Sequence, residues 1–149
     1  MVGITDKLNN RLEVALNYCI RFIFKIPRWL HISPYRANLG WLKVKYRRLY
    51  FIGCVLYKIL HFKVPPSLVT FFKKTISENP KDNLIRRSNR NITLPLIVPR
   101  AKVVSNYGKF PISAAQFWNE LPLSLSESPS LHVFKDKLLT HLLATQYLR

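Results

Sequence analysis

Apolar residues recur three or four apart through the first stretch of the chain: Leu8, Leu12, Ala15, Leu16, Cys19 and Ile23. That spacing puts them on one side of a helix with 3.6 residues per turn. Thr5 and Asp6 stand just before it, where short polar side chains accept from the orphan N–H groups of a first turn, and Pro27 ends it beyond residue 24. Arg11, Tyr18, Arg21 and Lys25 fall on the opposite side, so the pattern predicts an amphipathic helix with an apolar stripe inward and a basic stripe outward. Such a stripe reads either as a solvated face or as a line of phosphate contacts.

The next signals are punctuation. Ser33 is placed to cap a short turn opening at Pro34, and Gly40 breaks it ahead of Trp41 and Leu42, which read as a buried corner. The segment 44–62 is the most apolar of the chain. Leu49, Ile52, Leu56, Ile59 and Leu60 share one face and Lys43, Arg47, Lys58 and His61 the other, while Phe51 and Val55 make the middle apolar almost all round. It is the expected central helix, touching neighbours on most sides. Pro65 and Pro66 stop it, and 67–72 reads as one more short helix.

From 73 to 91 the chain turns polar around Asn79-Pro80, the pattern of an exposed loop. Two short β-type runs follow, 92–98 and 102–109, separated by Pro99 and predicting a small hairpin whose first strand is an edge because of Pro95. Residues 112–120 form a helix begun by Pro111 and ended by Leu121-Pro122. The last helix opens at Ser128-Pro129 and runs through Leu131, Phe134, Leu138 and Leu142, with His141 in its final turn. The expected fold is mainly α: a single small helical domain over 1–149, with a helical core at 5–72, an exposed polar loop at 73–91, and one short β-hairpin before the last two helices at 92–149.

Charge changes the picture more than length does. The 149 residues hold 24 Lys and Arg against 7 Asp and Glu, a formal net charge of +17. A surplus of that size repels itself unless a polyanion neutralises it. Nucleic acid is the first candidate and an anionic membrane surface the second. No acid occurs between Glu13 and Glu78, where twelve basic residues do, and none between Asp82 and Glu120. Basic residues dispersed among apolar ones predict a positive face on a folded domain. The candidate phosphate contacts are Arg28, Arg36, Lys43, Lys45, Arg47, Arg48, Arg86, Arg87, Arg90, Arg100 and Lys102. Arg28-Trp29, the 45–48 run and 102–107 also set rings beside charges, as base stacking requires, although Trp29, Trp41 and Trp118 sit next to Leu or Phe and read first as core.

Self-contained chemistry is not legible. The seven acids are scattered, the four glycines build no phosphate loop, and the four histidines have no Ser or Cys beside them in an activation motif. Cys19 and Cys54 lie in apolar helical stretches and read as buried free thiols. They form no metal-ligand spacing, so no metal or cofactor is expected. The first residues carry no apolar signal-peptide core, and the longest apolar run, 49–57, falls short of the ~20 residues that a spanning helix needs. The expected setting is intracellular, nuclear or cytoplasmic.

The run VPRAKVVSNYGKFPISAAQFWNELPLSLSESPSLHVFKDKLLTHLL resembles the extreme C-terminal region of non-LTR (LINE-type, jockey-like) retrotransposon reverse transcriptases. A V-P-R element, a basic K-x-x-x-x-Y-G stretch, a W-N-x-L-P turn and an S-x-x-x-F-K helix follow in order, here at 98–100, 102–108, 118–122 and 130–135. The upstream elements H-I-S-P, L-x-W-L-K-V and Y-K-x-L-H extend the resemblance to about residues 8 to 145. The chain departs from the pattern at 101–105, where relatives often carry a basic run, and at 110–113, where Pro111 removes a backbone donor.

The resemblance implies a thumb-like region lying after the palm of an RNA-directed DNA polymerase. The catalytic Asp-Asp turn of such a palm is absent from this sequence, so no enzymatic activity is expected. The implied partner is template-primer nucleic acid, RNA or RNA–DNA hybrid, held nonspecifically. Two alternatives stand beside it: an element that packs on a separate polymerase domain with Phe117, Trp118 and Phe134 covering the join, or a decayed transposon-derived product with no selected function.

Overall fold

The first helix forms where the apolar period placed it. In the computed structural model, which describes residues 5–69, 72, 96–98 and 110–147, α1 spans Asp6–Phe24, and the Thr5 hydroxyl accepts from the Leu8 amide. Its end is a left-handed Lys25, whose amide turns back to the last carbonyls. Arg21 then pins the turn that follows by donating to the carbonyls of Pro27 and Leu30.

The face that α1 turns inward differs from the expected one. Ile20 is its buried residue, whereas Leu8, Leu12 and Ile23 are about half exposed. Asn9, Glu13 and Asn17 share the buried side and bond to Arg48, Arg36 and the Val44 amide. The helix is rotated by about a quarter turn from the orientation that apolar content alone dictates, because paired polar groups from three elements set its roll. Cys19, on the outer side, is an exposed free thiol rather than a buried one.

Helix α2, Ser33–Asn38, has Pro34 in its first turn as expected, but Ser33 lies inside the helix and gives no cap bond. Gly40 follows at φ 61, a conformation that favours glycine. Helix α3, Val44–Tyr57, continues as a wider π-type turn over Lys58–Phe62 and ends at left-handed Lys63. It is the central helix, packed on α1, on α5 (Phe110–Glu120) and on α7 (Leu131–Tyr147). Ile52, Leu56 and Ile59 are buried, while Phe51 is 59% exposed, so one side of the apolar middle faces outward. A short α4, Pro66–Val69, stands where 67–72 was expected to be helical.

Close packing of α3 on α7 depends on Gly53. A Cβ there would lie 2.6 Å from Leu138 Cδ2 and 3.3 Å from Phe117 Cε1. Around it Tyr57 stacks on Phe134 at 4.7 Å, and Trp118 lies 5.7 Å from the same ring. Ala114 and Ala115 of α5 are fully buried, small enough to let that helix approach the others.

Between α5 and α7 lies an extra turn, α6, Leu123–Ser126, that the sequence did not announce. Helix α7 begins later than expected because Ser128 is otherwise engaged: it is buried, and its carbonyl accepts from the Tyr57 hydroxyl at 2.7 Å. Ser130 takes over the capping role, accepting from the Val133 amide. At the other end α7 reaches Tyr147, which puts His141 in the body of the helix instead of its last turn.

The β-hairpin is not seen. No strand occurs among the described residues, and most of 92–109 lies outside them, as does the whole of 73–91. At Leu96 the backbone N–H donates to Asn119 Oδ1 at 2.8 Å and the carbonyl accepts from Asn119 Nδ2 at 2.9 Å. The carboxamide of the W-N-x-L-P element thus pairs with a peptide unit as a neighbouring strand would.

Candidate nucleic-acid interface

The start of α3 concentrates positive charge. Lys43 precedes the helix, and Lys45, Arg47 and Arg48 occupy its first turns, where the peptide dipoles already present a positive end. Cations there are intrinsically unfavourable, and Lys43 offers no side-chain cap. The orphan amides are met from afar: Glu13 Oε2 accepts from Val44 N at 2.9 Å, and Gln146 Oε1 accepts from Lys43 N at 3.0 Å. Gln146 also donates to the Trp41 carbonyl.

Glu13 is the acid nearest Lys43 and Lys45 through the chain, and it is turned inward. Its Oε1 lies 2.6 Å from the Arg36 guanidinium, which also donates to Asn17. The carboxylate is therefore committed to a buried arginine and a helix cap. Among the described residues, no carboxylate forms an ion pair with Lys43, Lys45 or Arg47.

The expected phosphate contacts divide accordingly. Arg28, Lys43, Lys45 and Arg47 are exposed. The Arg47 guanidinium lies 5.8 Å from the Trp41 ring centroid and the Lys45 ammonium 5.9 Å from that of Tyr46, contacts that hold their stems while leaving the charge at the surface. Arg48 is half-buried and donates to Asn9. Arg36 is only 5% exposed and ion-paired, so it belongs to the scaffold and presents no charge to a ligand. Arg86, Arg87, Arg90, Arg100 and Lys102 lie outside the described residues.

Of the tryptophans, Trp118 is core, Trp41 half-buried, and Trp29 is 84% exposed beside Arg28, against the expectation that it packs inside. Phe117, Trp118 and Phe134 are buried within the domain and cannot cover a join with another.

Sequence reasoning missed a cleft of about 340 Å3 between α3, α5 and α7. Ile52, Phe117 and Leu142 give it apolar walls, and Lys45, Arg48, Gln116, Glu120 and His141 add polar ones. No local motif marks it, because its walls come from three helices that are well separated along the chain. The one available hint is His141, adjacent to core Leu142 on a helix.

Elsewhere, the Cys54 thiol is pushed above its ordinary pKa chiefly by burial, against a hydrogen bond from Tyr50 and nearby lysines that pull it down. No cluster of ligands able to hold a metal ion, and no helix long and apolar enough to cross a membrane, occurs among the described residues. No known family model matches the chain, and no curated protein or solved structure is significantly similar to it.

Proposed function

We propose that this chain is a catalytically inactive, thumb-like C-terminal region of a non-LTR retrotransposon reverse transcriptase, and that it binds template-primer nucleic acid nonspecifically through phosphate contacts. The observation that carries the reading is the group of outward-facing cations at the start of α3, with the nearby carboxylate of Glu13 drawn inward to Arg36. Exposed Arg28 and Trp29 extend the same chemistry, a charge for phosphate and a ring for an unpaired base. The order of the V-P-R, W-N-x-L-P and S-x-x-x-F-K elements supplies the lineage.

Fluorescence anisotropy with an RNA–DNA hybrid tests it. If about six of the basic residues touch phosphates, log K falls with log salt at a slope near −5. Replacing Lys45 and Arg47 together by Glu removes about two contacts and flattens that slope by roughly 2. A slope near zero in the unaltered chain overturns the reading.

A second reading, packing against a separate polymerase domain, is favoured by one feature. The outer side of α1 exposes Leu8, Leu12, Tyr18 and Phe22, the last at 86%. Apolar area of that kind marks contact surfaces. Self-association of the isolated chain, relieved by Phe22→Ser, would favour it.

A further inference from the structure

We infer that the cleft between α3, α5 and α7 receives the base of one unpaired nucleotide at the end of a bound duplex. The inference rests on the nucleic-acid reading above and deepens it by naming what the site holds besides phosphate. At about 340 Å3 the cleft lies at the small end of ligand pockets. It takes a single ring system and excludes a length of strand.

The wall chemistry selects the kind of ring. Ile52, Leu142 and the edge of the largely buried Phe117 ring form an apolar floor against which a flat ring loses water. Gln116 and Glu120, both on the exposed edge of α5, supply a donor and acceptors together, matching the mixed edge of a nucleobase. A simple fatty acid has no use for the Glu120 carboxylate. Lys45 and Arg48, across the cleft on α3, lie where the phosphate joined to that nucleotide would need cations. Lys45 also belongs to the surface assigned above to the duplex backbone, so one strand can run from that surface into the cleft. A paired base would first have to leave its stack, at a cost of a few kcal/mol. A terminal overhang avoids that cost.

The test uses the full chain and labelled RNA–DNA hybrids: one blunt, two carrying a single unpaired nucleotide at a 3′ or a 5′ end, and the same two with an abasic overhang. One overhang end binds about tenfold tighter than the blunt hybrid, as base stacking on protein rings commonly gives, and the abasic version loses the gain. Gln116→Trp, at an exposed position on the cleft edge, fills the space and abolishes the gain while blunt binding persists. Glu120→Gln, a milder change, alters which overhang base is preferred, while the negative charge it removes beside Lys45 raises affinity for blunt and overhang hybrids alike. Equal affinity for blunt, overhang and abasic hybrids overturns the inference and leaves the phosphate reading intact. A gain that survives Gln116→Trp in a chain with an unchanged thermal melt also overturns it. Failure to bind even the blunt hybrid overturns both.

Discussion

Glu13 shows how one side chain can set several others. It neutralises Arg36 at 2.6 Å and caps α3 through Val44, tying α1 to two other elements. Glu13→Ala leaves a guanidinium that is 5% exposed without its counter-charge and a helix start without its acceptor. Removing one member of a buried pair costs about 3 kcal/mol, so urea unfolding should show a loss of that order. A Glu13→Ala, Arg36→Met double variant should recover part of it, since the stranded charge is gone. The two cysteines make a second residue-scale contrast. Cys19 is exposed and Cys54 buried with its pKa raised by desolvation. Iodoacetamide near pH 8 should therefore label Cys19 first, with the Cys54 rate climbing as pH rises. Because the fold favours the Cys54 thiol, its contribution to stability is complete below the ordinary thiol pKa of about 8.5 and is lost as pH rises through the elevated folded value. A melt that strengthens with pH across that window in a Cys19→Ser background would contradict this.

At the scale of elements, the contact of α3 with α7 turns on a missing side chain. Gly53→Ala gains up to about 1 kcal/mol of helix propensity, but the new methyl meets Leu138 at 2.6 Å and Phe117 at 3.3 Å. Leu138 is fully buried and has little room to yield. Overpacking costs typically 1 to 3 kcal/mol, so a net loss of about 1 to 2 is expected in thermal or denaturant unfolding. A stabilised Gly53→Ala would mean that α7 can slide outward freely. Every helix but the short α6, and most boundaries, were legible in the sequence, because prolines, Thr5 and the 3.6-residue period act locally. The roll of α1 was not. A periodic pattern locates the apolar side of a helix, but Asn9, Glu13 and Asn17 reveal themselves as inward only once Arg36 and Arg48 are opposite them. The start of α7 moved for the same reason, since the pull of Tyr57 on Ser128 spans 71 residues. Candidate cations were legible by type alone: nothing local separates Lys45, which faces solvent, from Arg36, which does not. The cleft had no local signal because no single segment contains it.

For the molecule as a whole, a charge of +17 acts in two directions that salt can separate. Added salt displaces a polyanion and weakens binding, while it screens the self-repulsion of the folded chain. The free protein should accordingly melt at a higher temperature in 0.3 M than in 0.02 M sodium chloride, even as its affinity for hybrid falls. Calorimetry that finds the melt lowered by salt would show that attractive ion pairs, not repulsion, dominate the surface. The hydrogen bond from Lys43 to Gln146, across 103 positions, has a consequence during synthesis. At roughly 5 to 20 residues per second, about 5 to 20 s separate the emergence of these two partners from the ribosome. Through that interval one amide of the central helix is still waiting, and the side of α3 that packs on α7 is uncovered. The packing of α3 therefore waits on the arrival of α7.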